Sequence, residues 1–254
     1  ARAALIGLLG FLAGLVLNDY VDREYDLRDV DDSLTRYWRP FGARPIPEGK
    51  IPPGVAPGLF LVLAGSAAAA AATLPVPQNL YVIGIMSYSF LAEYFYQTKK
   101  RCQIRPIAQV VGRTEFALFP VAGYLVYGNP DTTALLIFLF FYPWALAHLA
   151  VNDMIDIEND RARGMATIPV LYGMKGAVIW TFGVTVLHAG IALTFGLALG
   201  WIALAGFGMG LAFLAVACHL IIRGLTPATA MQALPLIHAS LLIYAVAIIA
   251  AAVP

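Results

Sequence analysis

Two short acidic segments contain the residues whose types and spacing could do chemistry. NDYVDREYD runs from Asn18 to Asp26, and NDMIDIEND runs from Asn152 to Asp160. Both follow the frame N-D-x-x-D-x-E-x-D about half a chain apart, and such repetition usually reports duplication. Carboxylate and amide oxygens are hard ligands that suit Mg²⁺, which commonly bridges protein carboxylates to substrate phosphates. The two segments therefore predict a magnesium site for a diphosphate.

Helical spacing places the acidic residues of each segment on one face, at about 3.6 residues per turn. In the first segment that face carries Asn18, Asp19, Asp22 and Asp26. In the second it carries Asn152, Asp153, Asp156 and Asp160. Glu24 and Glu158 point away from these faces. Two stripes of oxygen ligands are the predicted result, and the alternative is a pair of hydrated helix ends at the membrane interface.

Cationic side chains that could bind a diphosphate lie near both segments in sequence. Arginine offers a bidentate fork to phosphate oxygens, and lysine offers a point charge. The candidates are Arg39 and Arg44 in RPFGARPIPEGK, Lys100 and Arg101 beside Tyr96 in YQTKKR, and Arg161 and Arg163 after the second segment. The alternative for each is plain positive-inside placement, which applies to about half of the cations in the chain.

The composition identifies an integral membrane protein. Of the 254 residues, 60% are hydrophobic and only 12% are charged, against roughly 25% charged residues in an average soluble domain. A helix needs about 20 apolar residues to cross the hydrocarbon core. We predict an all-α bundle, one domain over 1–254, with spans near 2–17, 57–74, 79–95, 107–127, 132–151, 176–196, 200–222 and 233–252. The net charge of +1 gives no indication of nucleic-acid binding.

The positions of the basic residues predict the orientation. All Lys and Arg residues except Arg2 and Arg113 fall in the connections after the first, third, fifth and seventh spans. By the positive-inside rule that side of the cytoplasmic membrane faces the cytoplasm, and both acidic segments lie on it. Four spans separate the segments, so the two repeats share one orientation. We therefore expect the segments to face one another across a central cavity that opens to the cytoplasm.

Several polar residues fall inside apolar spans. Arg113 and Glu115 lie in the span near 107–127, where a charge costs at least about 2.5 to 3.5 kcal/mol on insertion scales. Either could line a substrate chamber, and a structural role near the helix end is the equal alternative. The four histidines occur singly in spans, which favours packing or hydrogen bonds between helices over metal ligation. They are His148, His188, His219 and His238.

Together these motifs resemble those of the UbiA superfamily of intramembrane prenyltransferases. The resemblance rests on NDYVDREYD with the following RPIPEGKIP, on YQTKKR, and on NDMIDIENDRARGMATIPVLYG. It covers essentially the whole chain. The family fold is an all-α bundle of nine helices, in which the first acidic motif normally follows the second helix. The resemblance thus implies that the first family helix is missing from the eight spans predicted here.

The resemblance implies an enzyme that binds a polyprenyl diphosphate through two Mg²⁺ ions and transfers the prenyl chain to an acceptor, most often aromatic. By motif position, Asn18, Asp22 and Asp26 would hold one ion. Asp156 and Asp160, with Asn152 or Asp153, would hold the other. The residues that match the family's diphosphate contacts are Tyr96, Lys100, Arg101, Arg44 and, after a longer loop than the family pattern, Arg39. Arg161 is included for its position after the second motif.

The chemistry expected from this resemblance is ionisation of the diphosphate to an allylic carbocation. Aromatic ring faces can stabilise such a cation and keep water away from it, and the candidates are Tyr20, Tyr88, Tyr94 and Phe116. A ring carbon of the acceptor then attacks, and an aspartate of the second motif or the diphosphate removes the proton. We expect 4-hydroxybenzoate as acceptor, with Arg113 or an arginine of the R-P segment available to pair its carboxylate. Other quinone precursors, chlorophyllides and glycerol phosphate lipids are alternatives, and the haem-directed branch is less expected.

Two other classes of protein compete with this interpretation. A cation transporter with parallel repeats would also carry buried carboxylates. The Lys and Arg residues beside the acidic segments would repel a permeating cation, which favours an anionic ligand bridged by metal. A non-catalytic lipid-binding scaffold would not need both sets of aspartates.

Overall fold

The computed structural model describes residues 1–39 and 44–252, and outside the connections the described chain is helical. The helices are α1 (Arg2–Asp26), α2 (Ser33–Trp38), α3 (Ala56–Ala72), α4 (Gln78–Lys99), α5 (Ile107–Leu125), α6 (Thr132–Ile155), α7 (Ile157–Arg163), α8 (Ile168–Leu199), α9 (Trp201–Gly224) and α10 (Pro227–Ala252). No strand occurs in the described residues, which confirms the predicted all-α class.

Each of the eight predicted spans lies largely within one helix of the described chain. Within those residues, five helices are long and apolar enough to cross a membrane, namely α1, α6, α8, α9 and α10. Helix α3 is apolar but has only 17 residues. Helices α4 and α5 contain charged and polar side chains along their length. The long apolar helices are those of an integral membrane protein, whereas the number of eight spans stays a prediction.

The chain divides into two compact units. The first contains Ala1–Phe138 together with Arg161–Ala166, and the second contains Leu139–Asp160 together with the chain from Thr167 onward. The acidic motif at 18–26 belongs to the first unit, and the motif at 152–160 belongs to the second. The single domain over 1–254 and the parallel arrangement of two repeats stay predictions.

In the first unit, α1 packs against α3 and α4, and α4 packs against α5. An apolar cavity of about 110 Å³ lies between α1, α4 and α5. Gly7 and Gly10 line it from α1, Met86 from α4 and Phe119 from α5. The packing brings the C-terminal turns of α1 and α4 together, which positions the first acidic motif.

In the second unit, α9 and α10 approach closely through two glycines. Gly206 and Gly210 are four residues apart on α9, so they lie on one face of the helix. A Cβ atom at Gly206 would overlap Ala247, and one at Gly210 would overlap the ring of Tyr244. Small residues at this spacing let the backbones of membrane helices approach. The sequence analysis did not use this pair, which is a GxxxG pattern.

We expect Gly210→Leu to destabilise the protein by about 1 to 3 kcal/mol, because a larger side chain at a filled contact forces α9 and α10 apart. The check is the thermal unfolding midpoint of the purified protein in detergent. Gly208→Leu is the matched control, since Gly208 lies on the same helix, is exposed, and has open space where a Cβ atom would lie. Equal losses for the two variants would contradict the close-packing argument.

Candidate active site

The first acidic motif occupies the C-terminal turns of α1, and its carboxylates are buried. Asp19, Asp22 and Asp26 are each no more than 7% exposed, whereas the Glu24 side chain is 72% exposed. This division matches the face predicted from helical spacing. Three carboxylates buried along one helix need counter-charges, because an unpaired buried charge is strongly unfavourable.

Asp22 is neutralised by two cations from the end of α4. Lys100 Nζ donates to Asp22 Oδ2 at 2.6 Å, and Arg101 Nη2 donates to Asp22 Oδ1 at 2.8 Å. Arg101 also donates to the carbonyl oxygen of Val21 at 2.9 Å, and its guanidinium lies 4.1 Å from the ring centroid of Tyr25. The first motif and the YQTKKR element therefore form one cluster of opposite charges.

The other two aspartates of α1 pair with arginines from elsewhere in the first unit. Arg39 forms a fork with Asp19, with donor–acceptor distances of 3.2 and 3.0 Å to its two oxygens. Asp26 pairs with Arg44, and Arg163 Nη2 lies 3.4 Å from Asp26 Oδ1. Bidentate and charge-assisted contacts of this kind are the stronger hydrogen bonds in proteins. Five of the cations named from sequence as diphosphate candidates thus contact aspartates of the first motif.

A short turn that begins at Arg44 holds this arginine in place. The backbone N–H of Arg44 donates to Glu48 Oε1 at 3.1 Å, and the backbone N–H of Glu48 donates to the Arg44 carbonyl at 3.1 Å. The hydrogen bond from Lys50 holds the pKa of the Glu48 carboxyl below its ordinary value. The negative charge on Glu48 at neutral pH keeps the turn closed behind Arg44.

Tyr96 lies between two cations on the α4 and α5 side of the cluster. Lys100 Nζ is 5.0 Å from the Tyr96 ring centroid, and the guanidinium carbon of Arg113 is 5.2 Å from it. Helix α5 can approach because its residue opposite Tyr96 is Gly112, where a Cβ atom would lie 2.8 Å from the Tyr96 Cβ. Arg113, predicted as a possible acceptor contact, is therefore near the diphosphate candidates.

Sequence reasoning missed a buried polar network behind the first motif. Asn18 Nδ2 donates to Glu93 Oε1 at 2.8 Å, and Gln97 Nε2 donates to the same oxygen at 2.5 Å. Glu115 of α5 lies beside Glu93. Glu93 could have been recognised from sequence, because it is an ionisable residue within an apolar span and such residues are usually functional.

Arg163, named from sequence as a candidate diphosphate cation, pairs with two aspartates at the end of the first motif and just after it. It is buried, and these aspartates are Asp26 and Asp29. Its segment, Arg161–Ala166, is held to the end of α4 because the Ala166 N–H donates to the Lys100 carbonyl at 2.7 Å. Its neighbour Arg161, which was predicted to bind diphosphate, is exposed.

The second motif departs from the continuous helix that was predicted for it. Helix α6 ends at Ile155, Asp156 lies in a bend, and α7 begins at Ile157. Asp156 Oδ1 accepts a hydrogen bond from Asn159 Nδ2 at 2.6 Å. This hydrogen bond joins two side chains that lie within one helical turn of each other, at and just after the bend.

Despite this bend, side chains of the second motif point in the predicted directions. The backbone N–H groups of Asp156 and Asp160 still bond to carbonyls four residues earlier, at 3.0 and 2.8 Å. Asp153 and Asp160 are buried and Glu158 is exposed. Asp160 Oδ2 accepts a hydrogen bond from the Thr167 hydroxyl at 2.7 Å.

A histidine pair lies next to the second motif. His148 Nε2 is 2.9 Å from His238 Nε2, and His148 stacks on Trp144. Asn152 Nδ2 donates to the His148 carbonyl at 3.2 Å and is 3.2 Å from His148 Nε2. His188 bonds to Phe140 and Tyr244. Hydrogen bonds between helices, predicted for the histidines, are thus confirmed for these three.

The donor atoms of both motifs are carboxylate and amide oxygens, the type of ligand that binds Mg²⁺. Among the residues that the structure describes, no three His, Cys, Asp or Glu side chains are grouped closely enough to hold a metal by themselves. Mg²⁺ does not require such a group, because it is usually bound through one or two carboxylates together with waters and substrate phosphates. Asn152 Oδ1 is buried and accepts no hydrogen bond within the described chain, as expected for an atom that awaits a cation.

The four predicted aromatic residues differ in their surroundings. Tyr88 and Tyr94 are exposed, and the Tyr88 hydroxyl hydrogen-bonds Thr114 at 2.7 Å. Tyr20 is covered by Arg23 of its own helix, whose guanidinium lies 4.5 Å from the ring centroid. Phe116 is partly buried on α5. Two other aromatic residues, Tyr25 and Tyr96, contact the cations of the cluster.

Known proteins resemble this chain in sequence over much of its length. The sequence model of the UbiA prenyltransferase family matches residues 1–241. The chain is 32% identical to digeranylgeranylglyceryl phosphate synthase of Methanothermobacter thermautotrophicus, over 64% of this chain and 52% of that protein. It is 30% identical to 4-hydroxybenzoate octaprenyltransferase of Aeromonas hydrophila, over 63% and 51%. It is also 30% identical to protoheme IX farnesyltransferase of Bacillus pumilus, over 61% and 50%. The chain spans about half the length of these curated relatives.

Solved structures show the same fold at lower identity. The apo structure of a UbiA homolog from Aeropyrum pernix K1 matches with a TM-score of 0.78 and 18% identity, over 98% of this chain and 90% of that one. A UbiA homolog from Archaeoglobus fulgidus, bound to GPP and Mg²⁺, matches with a TM-score of 0.70 and 16% identity, over 98% and 88%.

Proposed function

Since the chain belongs to the UbiA prenyltransferase family, we propose that it transfers a prenyl group from a prenyl diphosphate to an acceptor within the membrane. The observation that carries the proposal is the buried cluster in which Asp22 contacts Lys100 and Arg101 at 2.6 and 2.8 Å. A diphosphate with its metal needs both charges in one place: oxygen ligands for the metal and cations for the phosphate oxygens. The cluster supplies both.

The cations of the cluster bind and stabilise the leaving group. Lys100, Arg101, Arg39 and Arg44 neutralise aspartates in the ligand-free protein. A diphosphate offers them stronger counter-charges, so they contact its oxygens when it binds. Negative charge grows on the diphosphate as its carbon–oxygen bond breaks, and fixed cations stabilise that transition state more than the ground state.

Aspartates of the first motif that this exchange releases, together with asparagines and aspartates of both motifs, would hold Mg²⁺. Asn18, Asp22 and Asp26 are the ligands proposed in the first motif. Asn152 or Asp153, with Asp156 and Asp160, are those proposed in the second, which accounts for two ions. When bound, Mg²⁺ supplies Lewis-acid stabilisation of the departing diphosphate.

The allylic cation left behind needs an environment that excludes water. Tyr96 presents its ring beside the cations of the cluster, and aromatic faces attract cations. The apolar cavity between α1, α4 and α5 lies on the same helices as Asn18 and Glu93, further into their apolar segments. Its size of about 110 Å³ suits part of an isoprenoid tail.

The acceptor we propose is a small aromatic acid such as 4-hydroxybenzoate, for which the Aeromonas hydrophila relative is named. Arg113 beside Tyr96 supports this choice, because it offers a guanidinium to the acceptor's carboxylate. A glycerol phosphate lipid is the competing acceptor, since the Methanothermobacter thermautotrophicus relative is named for such a product. We place the active site at the cytoplasmic face, where the basic connections lie.

The test is product formation by the purified protein in lipid nanodiscs. Geranyl or geranylgeranyl diphosphate is supplied with 4-hydroxybenzoate, a geranylgeranylglyceryl phosphate and haem as separate acceptors. We expect prenylated 4-hydroxybenzoate, its loss when EDTA removes Mg²⁺, and its return when excess Mg²⁺ is added. Mass spectrometry of the extracted products is the measurement.

The reactions with different acceptors test prenyl transfer and the choice of acceptor separately. Turnover on the lipid or haem acceptor alone would keep prenyl transfer and overturn the choice of acceptor. Absence of both turnover and diphosphate binding, with cation flux into vesicles that contain the protein, would favour the transporter instead.

A further inference from the structure

We propose that Glu93 is a positioning residue of the metal site, which fixes the side-chain amide of Asn18 so that Oδ1 is presented to a divalent cation. The proposal rests on the proposed function, because it concerns a Mg²⁺ ligand of the first motif. Glu93 itself contacts neither the metal nor the diphosphate. It acts through Asn18, as outer-shell partners of metal ligands commonly do.

The geometry places Asn18 and Glu93 in a buried contact between α1 and α4. Asn18 Nδ2 donates to Glu93 Oε1 at 2.8 Å, and Glu93 is only 7% exposed. The donor and acceptor lie 75 residues apart in sequence. A buried hydrogen bond between side chains of two helices restricts the Asn18 amide to one orientation, because breaking it would leave a buried polar group without a partner.

The hydrogen bonds around Glu93 determine which amide atom Asn18 turns toward it. Glu93 Oε1 accepts hydrogen bonds from the side-chain amides of both Asn18 and Gln97. It is therefore the acceptor in both contacts. If the Asn18 amide turned over, two acceptor oxygens, Asn18 Oδ1 and Glu93 Oε1, would face each other without a hydrogen between them.

The second motif shows the same arrangement with different residues. Asn152 occupies the position equivalent to Asn18, and its Nδ2 donates to the His148 carbonyl at 3.2 Å. Its Oδ1 is buried and accepts no hydrogen bond within the described residues. A buried polar atom without a partner is costly, and it points to a ligand that binds there. In both motifs, therefore, the protein holds the amide nitrogen, and in the second motif the amide oxygen has no partner among the described residues.

The test compares the Mg²⁺ requirement of the wild type and Glu93→Met, which keeps the length of the side chain but has no carboxylate. The probe is geranyl S-thiolodiphosphate, a diphosphate that resists ionisation. The readout is the Mg²⁺ concentration that gives half of the maximal rise in unfolding temperature with this probe. We expect Glu93→Met to raise that concentration about tenfold, because loss of an outer-shell partner costs about 10- to 100-fold in metal affinity.

Two variants separate positioning from general structural damage. Gln97→Met removes the other amide that bonds to Glu93 Oε1 but leaves the contact with Asn18, so its Mg²⁺ requirement should stay within about twofold of wild type. Glu93→Gln keeps a carbonyl acceptor and should restore most of the affinity that Glu93→Met loses. A shift as large in Gln97→Met as in Glu93→Met, or no shift in Glu93→Met, would overturn the proposal.

A further variant keeps the test valid if Glu93→Met does not fold. Glu93→Asp retains a buried carboxylate but withdraws it from Asn18 by one methylene, and an unchanged Mg²⁺ requirement in that variant would again overturn the proposal. The measurement on the wild type separates failure of the proposed function from failure of the positioning role of Glu93. If the wild type shows no Mg²⁺-dependent stabilisation by the probe, the proposed function itself fails and the positioning role fails with it.

Discussion

Replacement of Asp22 by asparagine is expected to lower the rate of Mg²⁺-dependent prenyl transfer about a thousandfold, within the range seen when one preorganised stabilising group is lost. Asp22 has two roles in our proposal. It balances Lys100 and Arg101 in the ligand-free protein, and it becomes a ligand of Mg²⁺ when they move to the diphosphate. The variant keeps its size and loses its charge, so the second role fails.

The same substitution has an opposite expected effect on binding of the diphosphate without metal. Lys100 and Arg101 lose their protein counter-charge, so the affinity for a prenyl diphosphate in EDTA should rise or stay equal. Turnover in excess Mg²⁺ and binding in EDTA, measured on the same preparation, give this contrast. Loss of both would indicate unfolding of the site rather than loss of a metal ligand.

Glu24→Gln is the matched control for Asp22→Asn. It removes one carboxylate from the same helix and the same motif, but Glu24 is exposed and forms its ion pair with Arg23 of that helix. Surface pairs of this kind contribute about 0 to 1 kcal/mol. We expect turnover within about twofold of the wild type. An equal loss in both variants would contradict the division of α1 into a site face and a solvent face.

The part of the site that depends on helical periodicity could be predicted from sequence. A fixed rotation of about 100° per residue puts Asp19, Asp22 and Asp26 on one side of α1 and Glu24 on another, and the structure has them so. The all-α class follows from composition in the same direct way. Both predictions require only local rules, and neither needs knowledge of which helices touch.

The partners of these side chains could not be predicted, because they come from distant parts of the chain. Asn18 contacts Glu93, and Arg163 contacts Asp29 across 134 residues. A single sequence indicates that a buried charge needs a partner but not which residue supplies it. The bend at Asp156 could not be predicted from periodicity either, because the side-chain directions of the motif continue through it.

The pairing of charges in the first unit explains how such an acidic motif is stable before a ligand arrives. Each buried aspartate of α1 contacts at least one arginine or lysine. Breaking a buried pair by removing one partner is strongly destabilising, by about 3 to 5 kcal/mol. When the diphosphate and its metal bind, the cations of the cluster turn to the diphosphate and the aspartates turn to the metal. Because these charges are already paired, neither ligand meets an unpaired charge of its own sign.

Lys100→Met should raise the KM for the prenyl diphosphate and lower kcat/KM about a hundredfold, which is about 2.7 kcal/mol of transition-state stabilisation. Lys100 is the more buried of the two cations that contact Asp22, with 9% of its side chain exposed against 22% for Arg101. Its ammonium also lies over the ring of Tyr96 at 5.0 Å. Methionine keeps the apolar stem and removes only the charge. Steady-state kinetics at saturating Mg²⁺ measure the effect.

A second change distinguishes loss of diphosphate binding from loss of the ion pair itself. In Lys100→Met, Asp22 keeps the Arg101 guanidinium as a close partner but loses the Lys100 ammonium. Part of the fall in kcat/KM would then come from a less stable site. Adding Asp22→Asn removes that imbalance, and the double variant should regain unfolding temperature without regaining turnover. Lys175→Met, at an exposed lysine on α8, should leave both quantities unchanged. Because Asp22→Asn alone is expected to remove most turnover, the single variant decides the role of the lysine. A lower unfolding temperature in Lys100→Met with an unchanged KM for the prenyl diphosphate would show that Lys100 serves stability alone, and its assignment to the diphosphate would be wrong.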